Sequence, residues 1–219
     1  LDHGDLDWLQ WDAVAAEPFE SLTASRNWGA RLRETLAPWA GGELLMGIDH
    51  DDYGGRFVEQ RPAGPQNPND VRLRATAPYV MVSHVFDGRV TVTPSAGVRF
   101  TESDPYGGHW GGQAGLKVEF PSTELYANAA HAFNLPGAWA AVQYAGWGLG
   151  DRWQDLEPEV MDHVEVGLGQ RITDRVRLDL SVFRDEVEDG LRFVPPPPPP
   201  PYFANVGAYT VDGLELSLQ

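Results

Sequence analysis

The chain contains no cysteine. That excludes disulfide staples, thiolate nucleophiles and cysteine-bound metals, and it suits a protein that crosses an oxidising compartment without stray cross-links. Basic residues are few: Lys and Arg total 16 against 32 Asp and Glu, a formal net charge of −16 over 219 residues. Nucleic-acid binding requires a basic face, so that class is set aside. No run of about 18 apolar residues occurs, so no transmembrane helix is encoded. Strands that cross a bilayer need only about 9–11 residues each and leave a fainter, alternating trace. No secretory leader opens the chain at Leu1, so the N-terminus is expected to be processed or truncated.

Catalytic patterns are missing too. There is no serine-nucleophile motif and no phosphate-cradling glycine loop. His3, His50, His84, His109, His131 and His163 show no His-x-x-x-His or Glu-x-x-His spacing, so no metal site is expected. Asp49-His50-Asp51-Asp52 gathers ligand types that suit Ca²⁺ or a transition metal. Alternate strand residues point to opposite faces, however, and the cluster reads as a solvated strand end. Gly107-Gly108 and Gly111-Gly112 flank His109-Trp110 without a following Lys or helix and read as a flexible loop. With no set of base, nucleophile and orienting partner, the sequence predicts no enzyme activity and no cofactor.

What is present is alternation. Val164, Val166 and Leu168, then Val176, Leu178, Leu180 and Val182, then Leu214, Leu216 and Leu218 occupy every second position, with polar or small residues between. That is the period of a strand with one apolar face. The same stretch opens with Leu156-Glu157-Pro158-Glu159, followed by Glu165, Gly167 and Leu168. It continues to Phe183 with Asp185 and Asp189, then Asn205, Gly207, Gly213 and Glu215. In order and spacing these residues resemble the late barrel strands of TonB-dependent outer-membrane receptors, "L-x-P-E-x-x-x-x-x-E-x-G-L" and then "N-x-G-x-x-x-x-x-G-x-E". Gly47-Ile48-Asp49 and Leu125-Tyr126-Ala127-Asn128 are similar to barrel phrasing elsewhere in that family. Its plug domain and TonB box have no counterpart in these residues.

Read in order, the chain gives about ten candidate strands in an all-β, antiparallel up-and-down meander, part of a transmembrane β-barrel over residues 1–219. A first strand spans Asp5 to Trp11, and Ala13 to Glu20 with Pro18 reads as a loop. Thr23 to Trp39 is a long strand. Asp87-Gly88 is a strong hairpin signal. Tight turns at Ala40–Gly42, Asp87-Gly88, Pro121-Ser122 and Thr173-Asp174 alternate with long loops at about 54–70, 102–112, 134–155 and 188–204. Within 134–155, helix is expected at most as a turn from Gly137 to Tyr144. One trimmed end and one elaborated end is the asymmetry of outer-membrane barrels, with short periplasmic turns and long extracellular loops. Transporters of this kind have about 22 strands, so the chain reads as a fragment whose first and last strands do not pair.

The run Pro195 to Pro201 favours a polyproline II rod of roughly 22 Å and cannot be a central strand. It reads as a stiff loop, either a wall over a ligand vestibule or a spacer. Aromatic residues from Trp28 to Phe193 fall near expected strand ends, as a lipid-facing barrel requires. Trp139, Tyr144, Trp147 and Trp153 cluster among glycines, as they would in a soluble carbohydrate-binding module.

The resemblance implies an outer-membrane receptor of a Gram-negative bacterium for a scarce nutrient such as an iron–siderophore, haem or cobalamin. It would sit in outer-membrane lipid and draw energy through TonB, acting on a plug outside this chain. Loops on a rigid scaffold carry binding residues, so Trp110, Trp139, Tyr144, Trp147 and Tyr202 are candidate ligand contacts, with His109 as polar partner. A soluble β-rich carbohydrate-binding domain and a small closed structural barrel remain alternatives.

Overall fold

Alternation of the Val176–Val182 kind commits each strand to one apolar face, and the backbone follows it. The computed structural model describes residues 2–12, 17–62, 64–146, 149–194 and 202–218. The strands are β1 (Asp2–Asp12), β2 (Glu17–Leu36), β3 (Gly42–Arg61), β4 (Gly64–His84), β5 (Thr91–Asp104), β6 (Gly107–Glu119), β7 (Thr123–Asn134), β8 (Glu159–Thr173), β9 (Val176–Glu188), β10 (Leu191–Val194), β11 (Tyr202–Asn205) and β12 (Tyr209–Leu218). Ten of them form one sheet in the order β1-β2-β3-β4-β5-β6-β7-β8-β9-β12, while β10 and β11 pair separately. Every pairing is antiparallel. The fold is the expected all-β meander. β1 and β12 lie at opposite edges and do not pair with each other, so the sheet is open.

Register gives every residue a face. Leu125, Leu168, Leu180 and Leu216 are successive cross-strand partners, as are Ala127, Val166, Val182 and Leu214. This outer face is apolar and bare; Leu32 is 71% exposed and Leu216 65%. Arg177, Asp179 and Ser181 fall on the inner face, as the alternation predicts. There Tyr126, Gly167, Ser181 and Glu215 form a column. A Cβ at Gly167 would lie 2.1 Å from the Tyr126 ring, and one at Gly213 would lie 2.1 Å from the Phe183 ring. Glycine at these two positions is the flat seat on which a neighbouring aromatic rests.

Several connections differ from the sequence reading. β2 already begins at Glu17, so every described residue of the expected 13–20 loop is strand. The 54–70 stretch is not a loop: β3 and β4 continue to an Arg61–Gly64 pair. The register shifts between Phe57 and Glu59, which leaves Pro68 outside the ladder, where no amide donor is needed. The 102–112 stretch is also strand, with β5 and β6 joined through Pro105-Tyr106 and Gly107 at φ 77°. Its glycines belong to β6 and not to a flexible loop. The 134–155 stretch folds as helix α1 (Ala138–Gly146) and a 3-10 helix (Gly150–Asp155), more order than the single turn expected. Within 188–204, β10 and β11 form a small hairpin; Pro195–Pro201 lies outside the described residues.

One apolar core exists among the described residues. Val71 and Leu73 on the inner face of β4 pack against Ala140, Ala141 and Tyr144 of α1, with Trp153 and Leu156.

Candidate functional site

The first part of the insertion between β7 and β8, Ala138–Gly146, is alanine-rich, which favours helix. Ala140, Ala141 and Tyr144 share one side of α1, and that side meets β4 across the inner face. Tyr144 also donates its hydroxyl to the Phe203 carbonyl on β11 at 2.6 Å. Asn205 extends the link: its Oδ1 accepts from the Glu157 amide at 2.9 Å, and its Nδ2 donates to the carbonyls of Glu157 (2.8 Å) and Asp189 (2.7 Å). The Glu159 carboxylate accepts from the Leu191 amide at 3.0 Å. The β7–β8 insertion and the β10–β11 hairpin are therefore one joined unit at the elaborated end of the sheet.

Beside this unit the inner face holds a cavity of about 610 Å³, whose lining includes Tyr53, Tyr79, Arg99, Thr101, Gln113 and Phe133. Arg99 lies 5.4 Å over the Tyr79 ring and pairs with Asp49 at 2.8 Å. Its charge is thus matched, and the wall offers aromatic faces, an amide and a guanidinium edge. The Tyr106 hydroxyl and the Trp153 ring N–H are both buried without a hydrogen-bond partner among the described residues. Burial, with Tyr53 close by, pushes the Tyr106 hydroxyl well above the usual phenol range.

Of the candidate contacts, His109 faces inward: it pairs with Thr101, donates Nε2–H to the Tyr106 carbonyl at 2.9 Å, and lies 5.3 Å from the Phe133 ring. Trp139 stands 61% exposed on α1. Tyr144 is buried, its ring in the core. Trp110 does not join His109. It follows His109 on β6, so it points through the other side of the sheet, beside Phe100 at 4.9 Å and 62% exposed. Trp147 lies outside the described residues; Tyr202 is placed by its backbone pairing with Val194. The expected solvated cluster at 49–52 is also corrected. Asp49 pairs with Arg99 and Asp51 with Arg31, while Asp52 is 1% exposed beneath Arg72.

The sequence reading missed Tyr53, Tyr79, Arg99 and Gln113. Their signal was available, because they occupy the polar half of the same alternation that marks the outer face. Among the described residues, no three His, Asp or Glu side chains come together with the spacing a metal ion needs.

The family model described as TonB dependent receptor-like, beta-barrel, matches residues 4–219. No curated protein matches the chain in sequence. Among solved structures, the siderophore receptor PirA from Pseudomonas aeruginosa is similar over 92% of this chain and 40% of its own, at 18% identity and a TM-score of 0.69. The copper transporter OprC is similar over 99% of this chain and 38% of its own, at 16% identity and a TM-score of 0.74. The ferric enterobactin receptor PfeA from Pseudomonas aeruginosa, solved with enterobactin, covers 94% of this chain and 34% of its own, at 16% identity and a TM-score of 0.67. The chain thus spans about two-fifths or less of the length of these structures.

Proposed function

Because this chain belongs to the TonB-dependent receptor family, over its β-barrel part, we propose that it forms a wall of an outer-membrane receptor that takes up a scarce small nutrient. The outer face carries the reading. A row of exposed Leu and Val crosses the sheet, with Trp39, Phe86 and Phe120 toward the short-turn end and Trp28 and Trp110 toward the other. Such a row in water would be an aggregation surface; facing acyl chains, with rings at both boundaries, it is a lipid contact. A soluble carbohydrate-binding domain has no use for it.

The short turns then face the periplasm, and the joined β7–β8 and β10–β11 unit lies outside. Ligand enters on the inner face below that unit, beside Tyr79, Arg99 and Gln113 of the cavity wall, with His109 of β6 on the same face. Iron–siderophore complexes, haem and cobalamin are the ligands proposed, with TonB acting on a plug domain elsewhere in the protein. Binding and transport, not catalysis, follow from a family of receptors.

The test expresses the full-length protein in a Gram-negative strain lacking its own receptors. Uptake of labelled ferric siderophores, haem and cobalamin is measured with and without a proton uncoupler. Uptake of one ligand, abolished by the uncoupler, is expected in a barrel that shows heat-modifiable migration. A properly assembled barrel that neither binds nor imports any of them would overturn the reading.

A further inference from the structure

The cavity beside Tyr79 and Arg99 has a polarity that narrows what it can hold. Arg99 turns a terminal nitrogen onto the Asp49 carboxylate at 2.8 Å, and its guanidinium carbon lies 5.4 Å over the Tyr79 ring. Gln113 donates Nε2–H to the Met81 sulfur at 3.2 Å, and His109 donates Nε2–H to the Tyr106 carbonyl at 2.9 Å. The side-chain donors of this wall are thus turned onto the protein itself. What remains is the acceptor end of each group: the Gln113 oxygen, the Nδ1 lone pair of neutral His109, and the π faces of Tyr79 and Phe133. Arg99 keeps further N–H groups, but their charge is answered by Asp49.

The surrounding charge has the same sense. Register sets the inner face in rows of cross-strand partners, from the row of Glu43 and Glu165 up to the row of Asp51. Within that band the carboxylates are Glu43, Asp49, Asp51, Glu159, Glu165 and Asp185, and the guanidinium groups are Arg31, Arg33 and Arg99. Arg31 is taken by Asp51 at 3.3 Å. Arg33 stands on β2, three strands and about 14 Å from Arg99. The band is negative, like the chain as a whole at −16.

We propose that this cavity takes a metal chelate that is neutral or positively charged and carries N–H groups on its rim, in preference to a polyanionic one. The proposal rests on the receptor reading above and narrows it. An ammonium or amide N–H finds the Gln113 oxygen and the aromatic faces, where the ring quadrupole holds a cation. A polyanion would meet a guanidinium already matched, and would lose hydration beside Asp49 and a negative wall. Its approach is slowed as well, because a cleft lined by one sign of charge concentrates ligands of the other. Neutral or ammonium-bearing trihydroxamates and cobalamin fit this description. Haem with its propionates and a trianionic tricatecholate do not.

The test uses the full-length protein in the Gram-negative strain lacking its own receptors. One ferric trihydroxamate scaffold is supplied in three forms: with a free ammonium, with that amine acetylated, and with it succinylated to a carboxylate. Labelled cyanocobalamin, haem and a ferric tricatecholate complete the set. Binding and uptake of a neutral or ammonium-bearing chelate are expected about tenfold above any anionic member. Gln113→Lys should weaken the preferred chelate about tenfold, and Asp49→Asn, which releases Arg99, should move preference toward the anionic members by a similar factor. Heat-modifiable migration checks assembly; Gln113 is exposed on the wall, so its variant decides where Asp49→Asn does not assemble. Preference for haem, the tricatecholate or the succinylated form overturns the proposal and leaves the receptor reading standing. Unchanged binding by an assembled Gln113→Lys also overturns it. Import of no member removes the receptor reading and the proposal together.

Discussion

Tyr144 donates its hydroxyl to the Phe203 carbonyl at 2.6 Å, across 59 positions of sequence. This contact and the Asn205 bridges to Glu157 and Asp189 make two insertions move as one. Tyr144→Phe should remove about 1 kcal/mol and leave the Phe203 carbonyl unpaired. Amide exchange of residues 138–156 and 202–205 is expected to rise together, about fivefold, in the full-length protein. Faster exchange confined to α1 would mean that the two insertions are independent.

Leu73 is fully covered by α1 and the 3-10 helix. Leu73→Ala should weaken docking of that segment by about 2 kcal/mol, the low end for a buried leucine. Protease sensitivity should appear at the β7–β8 connection while heat-modifiable migration of the barrel persists. Loss of the barrel itself would place this small core among the requirements for sheet assembly.

Gly167→Ala would drive a methyl group into the Tyr126 ring. We expect destabilisation of about 1–3 kcal/mol, seen as heat-modifiable migration at lower temperature. Tyr126→Ala in the same protein should recover part of it. Equal melting of Gly167→Ala and wild type would show that the ring swings aside freely.

The alternating stretches were legible because each residue in them answers to a different medium on each face, as Val176 to Val182 do. Beyond the apolar row that distinction ends. From Gly54 to Asp70 both faces lack the alternation, Pro62, Pro65 and Pro68 intervene, and the period that identifies a strand disappears although the hairpin continues. Gly107 to Gly112 misled in another way: glycines that fit beside Phe100 within a strand look like loop glycines when read alone. Trp110 was assigned to ligand from its neighbours in sequence, and strand geometry sends it to the opposite face.

That geometry separates two outcomes. His109→Ala and Trp139→Ala should each weaken nutrient binding to whole cells about tenfold, the scale of one lost contact of roughly 1.4 kcal/mol. Trp110→Ala should leave affinity unchanged and alter only stability in lipid. Reduced binding by Trp110→Ala, with the barrel assembled, would return it to the site.

The outer row of Leu32, Val166, Leu214 and Leu216 is covered by nothing among the described residues. Its transfer free energy is consequently a property of the surrounding amphiphile as much as of the polypeptide. A melting temperature taken in a short-chain detergent and one taken in a bilayer would report two different thermodynamic quantities. The first measures how well a micelle wets the sheet; the second includes the elastic response of the leaflet to its height. Comparisons among variants are meaningful only within one amphiphile, and a substitution such as Leu216→Ala can change rank between them without any altered contact inside the protein.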